Sequence, residues 1–562
     1  MEMIRYAIFS LYILAVSSLY AQTPRETRAV WIATNHRLDW PPATLNEDEQ
    51  KNELKNILKK IEQKNLNTVY FQVRSNGTTM YKSSFEPFSP YITKNANGTP
   101  AYDPLEFATI EAHKHGLEIH AWINTFRILN GNISDINNLS LHLTRKHPEW
   151  ILETKDKTSL WINPGIPEAR EYLTELIFEI VQNYDVDGIQ LDFIRYPQTQ
   201  FNDNIAFKKY GNGKSLEDWR RENITQFISE LKNRIKGINP QIKLGVTPIG
   251  IFKSIRDARG MESYSAVFQN TREWLKQGLI DYAAPQIYWD TKSNPKFDAL
   301  VKNWVNNSYG KNIVIGIAAY KPEVYKELER EINTARNLHA SGVAFFRYKN
   351  IENKYFRSFE NKTLPAKMPW IKEKKGQTRL NLIATYSNHK INLLLKSDKQ
   401  QLTEDGYFAI YEQNSYLDTA NAKLLKVIPN YIDKINFRIP HANKICHYYY
   451  ATELDKLWNE TSFKSNIAKV VIPELAEICN TIKPIANPLI FQEDNTSKLI
   501  LFSNCKDKIV IANKENNHLL FFDILPGYNY IESAKDLSQE KGLTLKFLNS
   551  KRMVKLRTNH LK

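Results

Sequence analysis

Between Arg28 and Lys349 the chain repeats one pattern eight times: a short apolar run, then a gap that in most cases can hold a helix. The runs read RAVWIA, NTVYFQVR, LEIHAWIN, VDGIQLDFIRY, IKLGVTPIG, IDYAAPQIYW, IVIGIAAY and GVAFFRYK. Strands that alternate with helices build a parallel sheet with helices on its outside. Eight such units predict an α/β fold, the (β/α)8 or TIM barrel, in which the chemistry gathers where the strands end. Polar residues in this chain collect at those downstream ends.

The gaps carry helix signals. Leu54, Ile57, Leu58 and Ile61 recur at helical spacing, predicting a helix over 47–65. Asp103 caps the next helix, Pro104 suits its first turn and Gly116 its stop. Further helices are expected over 167–183, 219–236, 269–277 and 322–339.

Strand side chains alternate between two faces. The count sets Gln72 and Arg74 on one face of strand two, and His120, Trp122 and Asn124 on one face of strand three. It groups Gln190 with Asp192 in strand four, leaving Leu191 and Phe193 toward the helices. In strand six it groups Gln286, Tyr288 and Asp290. Parallel strands normally read as continuous apolar runs. Polar breaks in several strands at once therefore predict a polar ligand in the barrel mouth.

Two carboxyl groups suffice to break a glycosidic bond, one as proton donor and one as nucleophile or base. Asp192, at the mouth end of strand four, is the first candidate for the second role, because nearby Arg195 favours its ionised form. Three acids compete to be the donor. Glu86 lies among apolar neighbours in KSSFEPFSPY, Asp290 follows Tyr288 and Trp289, and Asp39 follows strand one in HRLDW. Aromatic rings bury the apolar faces of sugars, and Trp40, Trp122, Tyr196, Tyr288, Trp289 and Tyr320 are candidates for that work. Gln72, Asn124, Gln286, His36 and His120 are candidate hydrogen-bonding groups, and Arg74 or Arg127 a candidate reader of a carboxylate or N-acetyl group.

Other chemistries find no motif. GxSxG, HExxH, a full phosphate loop and a dinucleotide fingerprint are all missing from the sequence, so no cofactor and no metal are expected. The net charge of +15 suits an anionic polymer, but the lysines are scattered among acids, and no nucleic-acid signature is present. The first 21 residues have the charge, apolar run and small-residue end of a secretion signal, which predicts a periplasmic or extracellular protein without a membrane span in its mature form. Of the three cysteines, Cys446, Cys479 and Cys505, one bridge at most can form. Residues 365–377 read as a charged linker, 378–479 as a fibronectin type III-like β-sandwich, and 480–562 as a small β domain.

The stretches RETRAVWIATNHRLDWPP, YDPLEFATIEAHKHGLEIHAWINTFR, NPGIPEAREYLTELIFEIVQNYDVDGIQLDFIRYP and GLIDYAAPQIYW are similar to the family 10-like glycosyl hydrolases. Together with shorter matches they cover nearly all of residues 25–349. The resemblance implies an exported barrel enzyme acting on polysaccharide, with peptidoglycan glycan strands lacking stem peptides as the leading substrate. Two departures stand out. Where the family often reads DGIHFDDY, Phe193 replaces the second aspartate and Gln190 the histidine, and RSNG stands where relatives often have RPxGD. A non-catalytic glycan-binding barrel and a hydrolase of host or dietary polysaccharide are the alternatives.

Overall fold

The computed structural model describes residues 25–95, 97–131, 136, 138–372, 379–387, 390–397, 406–413, 422–438, 446–460, 464–471, 489–493, 496–503, 507–515, 518–524, 527–533, 537, 543–548 and 552–558. The expected secretion signal lies outside these residues, as do Cys479, Cys505 and the side chain of Cys446.

Eight parallel strands follow one another in chain order: β1 Thr27–Ile32, β2 Thr68–Ser75, β3 Glu118–Asn124, β4 Gly188–Asp192, β5 Lys243–Val246, β6 Tyr282–Ala283, β7 Asn312–Ile317 and β8 Gly342–Phe345. The sheet closes because β1 pairs with both neighbours, Val30 with Val69 of β2 and Thr27 with Gly342 of β8. Closure removes every open edge, and the result is the expected TIM barrel.

Helices fill the gaps: α1 Glu47–Gln63, α2 Pro104–Lys114, α3 Pro167–Asn183, α4 Leu216–Ile238, α5 Thr271–Lys276, α6 Phe297–Asn306, α7 Leu328–Asn337 and α8 Tyr348–Ile351. The side chain of Asn46 caps α1 by accepting from Glu49 N at 3.0 Å. Leu54, Ile57, Leu58 and Ile61 of α1 are all buried against the strands. Each such side chain contributes about 1.5–3 kcal/mol, more than any difference in helix propensity. Asp103 caps α2, accepting from Leu105 N at 3.0 Å and Glu106 N at 3.1 Å. Gly116 ends that turn at φ +65°, and a Cβ there would lie 2.5 Å from Val427 O of the next domain. The helix expected over 322–339 is broken in two, Pro322–Tyr325 and then α7.

The barrel interior is packed. Trp31 Nε1 donates to Gln190 Oε1 at 2.8 Å, and His120 Nδ1 meets the Tyr282 hydroxyl at 2.7 Å. At the floor Glu118 pairs with Lys243. The stretch expected to be a charged linker begins as part of this floor. Met368 and Ile371 join Trp31, Tyr70 and Tyr282 in one apolar cluster, and Trp370 Nε1 donates to Asp281 Oδ1 at 3.0 Å.

Downstream, two sheets share one core. Strands Leu380–Ser387, Lys390–Ser397 and Lys434–Arg438 face Lys423–Pro429, Tyr407–Gln413, Cys446–Leu454 and Ala468–Val471 across Leu382, Leu393, Phe408 and Ala451. A second pair of sheets packs around Leu499, Ile509, Leu545 and Phe547. The first of these units docks beneath the barrel, where Tyr407 sets its ring edge-on to His113 and Lys456 pairs with Asp185. Among the described residues no helix is long and apolar enough to cross a membrane.

Candidate active site

Asp192 is the last residue of β4, where the ladder still holds its backbone: Thr125 N donates to Asp192 O at 2.8 Å. Phe193 then turns into the left-handed region at φ 49°. That conformation costs a non-glycine residue about 1–2 kcal/mol, and here it aims Phe193 N at Asp192 Oδ1, 2.7 Å away. Trp122 Nε1, from β3, donates to Oδ2 at 3.2 Å, and Gln286 Nε2 to Oδ1 at 3.5 Å. The residue is 6% exposed.

Burial dominates the electrostatics of this carboxyl and raises its pKa, against the Phe193 amide and the positive charges of Arg127 and Arg195. Arg195 favours the ionised form, as expected, but burial acts in the opposite direction and is the larger effect. The same burial pulls both guanidinium groups down, each to about 10, while Asp192 pushes them back up. Both remain cations at neutral pH.

An aromatic wall stands beside Asp192. Phe346, immediately after β8, lies 6.0 Å from each of Trp31, Tyr288 and Tyr320 and 6.2 Å from Trp122, ring centre to ring centre. Tyr320 is 47% exposed, and His36 is exposed on the rim 3.4 Å from the Tyr91 hydroxyl. Phe346 escaped the sequence reading, although strand alternation places it on the inward face with Ala344. Phe193 departs from the alternation. Its ring lies under the Arg127 guanidinium, 3.4 Å from Cζ, instead of facing the helices.

The three candidate donors are each held elsewhere. Glu86 is sealed in an ion pair with Arg74, with no solvent exposure of either side chain. Asp39 accepts from Arg347 Nη1 at 2.6 Å, Lys349 N at 2.8 Å and Ala33 N at 2.8 Å. Asp290 turns out of the strand and accepts from Ser293 N at 2.6 Å and Lys292 N at 3.0 Å, bonds that lower its pKa.

Several expected ligand groups are scaffold. Arg74 spends its donors on Glu86 and on the carbonyls of Asn124 and Thr125. Gln72 accepts from Thr34 N and Asn35 N and donates to Asn124 Oδ1, which ties β1 to β3. His120 sits in the sealed lower layer, pulled down to about 4 by burial. Trp40 is buried and donates to Gln50 O at 2.9 Å, and Tyr196 is buried against Phe201 and Phe268. Trp289 is half-buried and packs on Gly250. The structure thus brings together Asp192, Trp122, Gln286, Tyr288, Arg127 and Arg195. Among the described residues no group of three or more His, Cys, Asp or Glu is placed to hold a metal ion.

The glycosyl hydrolase YngK of Bacillus subtilis is 32% identical over 491 residues, spanning 80% of this chain and 94% of that protein. The glycosyl hydrolase DigH of Escherichia coli K12 is 36% identical over 329 residues, 53% of this chain and 74% of that one. Among solved structures, the PgaB (BpsB) glycoside hydrolase domain from Bordetella bronchiseptica aligns at a TM-score of 0.45 and 11% identity, over 59% of this chain and 99% of that chain. Residues 26–331 match the family described as Glycosyl hydrolase-like 10. With more than half its length in that match and a relative covered almost end to end, the chain belongs to the glycosyl hydrolase-like 10 family.

Proposed function

We propose that the protein is an exported glycoside hydrolase that cuts peptidoglycan glycan strands lacking stem peptides, in the mouth of the barrel. The observation that carries this reading is the Asp192 carboxyl: buried at the C-terminal end of β4, raised in pKa, and set beside a wall of aromatic rings. A carboxyl whose pKa is raised by burial is suited to protonate a leaving glycosidic oxygen. In this reading Asp192 is the proton donor, not the nucleophile. Trp122 and Gln286 fix its two oxygens, and Tyr288, Tyr320 and Phe346 offer rings to the apolar faces of the sugars. The net charge of +15 favours an anionic polymer.

One observation favours a second reading, a barrel that binds glycan without cutting it. Glu86, Asp39 and Asp290, the acids that sequence offers as partners, are each bonded to other groups. A single assay separates the two. Denuded glycan strands incubated with wild type and D192N are sized by chromatography. Shortening by wild type alone supports hydrolysis; tight binding with no shortening by either supports the binding module. Secretion is tested in the same cells by asking whether the protein leaves the cytoplasm and loses its first 21 residues.

A further inference from the structure

We propose that Arg127 and Arg195 together form a receptor for a carboxylate carried by the sugar polymer, so that the mouth selects acidic glycans over neutral ones. This rests on the reading of the mouth as a glycan site.

The argument begins with unspent donors. Arg127 opens the short strand Arg127–Asn130 just after β3, and Arg195 lies three residues after Asp192. Among the described residues neither is in an ion pair. Arg195 gives one long hydrogen bond, 3.4 Å, to Tyr196 O, and Arg127 Nε is buried without a partner. Arg74, fully buried at the end of β2, is by contrast neutralised by Glu86. Here two cations share one nearby carboxylate, Asp192, which acts on both. When Asp192 is protonated they share none.

The faces of the two guanidinium groups are taken. Arg127 lies 3.4 Å from the centre of the Phe193 ring, and Arg195 lies 5.1 Å from Trp161 and 5.3 Å from Phe193. A guanidinium covered on its face still presents N–H groups along its edge, in the plane that matches a carboxylate. Both residues are of intermediate exposure, with Arg127 Nε itself buried. A sugar hydroxyl would accept one hydrogen bond there but leave the excess charge; a carboxylate satisfies both. Two classes of acidic sugar serve as probes. Muramic acid bears a lactyl carboxylate, which is free when the stem peptide is gone, and uronic acids bear one on the ring.

The test measures equilibrium binding by the full chain in a D192N background, which removes the candidate catalytic acid. Three polymers are compared: denuded peptidoglycan strands, the same strands with their carboxylates chemically reduced to alcohols, and polygalacturonate. The receptor predicts at least tenfold tighter binding of the intact strands than of the reduced ones. Arg127→Gln and Arg195→Gln should each bring that ratio toward one. Phe193→Asp should do the same by supplying an internal carboxylate, and aspartate tolerates a φ of 49° better than phenylalanine. Tighter binding of polygalacturonate, lost in the same variants, keeps the receptor and assigns it to uronic acids. Equal binding of intact and reduced strands, a ratio that none of the three substitutions moves, or no binding of any polymer overturns it. Cleavage is read separately with the wild type. Equal cutting and equal binding of intact and reduced strands removes the receptor and leaves the hydrolase. Carboxylate-selective binding without cutting leaves the receptor and removes the hydrolase.

Discussion

Arg74 and Glu86 meet as a two-point ion pair, Nε to Oε2 at 2.7 Å and Nη2 to Oε1 at 2.6 Å, with neither side chain reaching solvent. The pair fastens the long loop after β2 to the barrel top, because the same guanidinium also holds the carbonyls of Asn124 and Thr125. Removing one member strands the other as a buried charge. Arg74→Ala or Glu86→Ala should therefore cost about 3–5 kcal/mol of unfolding free energy. The double substitution Arg74→Met with Glu86→Leu should recover most of it. Urea denaturation of the three variants is the check, and a cost near zero for Glu86→Ala would free that residue for chemistry again.

Asp192→Asn should retain the fold and lower strand cleavage by roughly 100-fold or more, the usual size of a general-acid contribution. Its raised pKa fixes the sign of the pH dependence. A donor works while protonated, so activity should persist at low pH and fall as pH rises through the raised value. Arg127→Gln removes a cation that favours the ionised form, so it should move this alkaline limb to still higher pH. A limb that stays in place in kcat/KM profiles would contradict the role given to Asp192.

Glu331 on α7 has no solvent exposure, and neither of its carboxyl oxygens has a hydrogen-bond partner. Burial, with help from Glu327 and Asp290, pushes it up to about 9. The folded chain keeps a proton there that the unfolded chain releases above about 4.3. Stability therefore falls as pH rises between those values. Glu331→Gln, which mimics the neutral acid, should add roughly 1–3 kcal/mol at pH 7 and nothing near pH 4. Thermal melts of both proteins across that range test it.

His113 links the barrel floor to the domain beneath it. Its Nε2 lies 3.0 Å from Asp187 Oδ2, and Nδ1 lies 3.7 Å from Asp185. Burial pulls the ring down, but Asp187 and Asp185 together raise it above the ordinary value. The stabilisation is full below about pH 6.5 and is lost as pH rises through the folded value. His113→Gln should destabilise the protein most below pH 6 and progressively less in alkali. A cost independent of pH would mean the ring acts by packing alone.

Much of this was legible in one dimension. The α1 stripe and the Asp103 cap are statements about neighbours three or four residues apart, and both stand in the structure. So does the place of Asp192 at the end of β4. The floor was not legible: PAKMPWIKEKKGQ reads as a charged linker, yet Met368 enters the barrel cluster because the open lower end offers apolar surface to cover. The aromatic wall was half legible: Trp122, Tyr288, Tyr320 and Phe346 all follow the alternation, but only the closed barrel brings the first three, with Trp31, around Phe346.

The amino-acid order by itself determined the eightfold repeat, the strand faces and the helix caps, because each depends on spacing along the chain and on local backbone geometry. Only the tertiary structure decided which charges meet. Asp39 finds Arg347 across 308 residues, and Glu86 finds Arg74 from the far side of a loop. Phe193 leaves its face of the strand through one left-handed torsion and comes to lie under Arg127. Electrostatic pairing follows distance through space and the loss of water around each group, and no periodicity in a sequence encodes either.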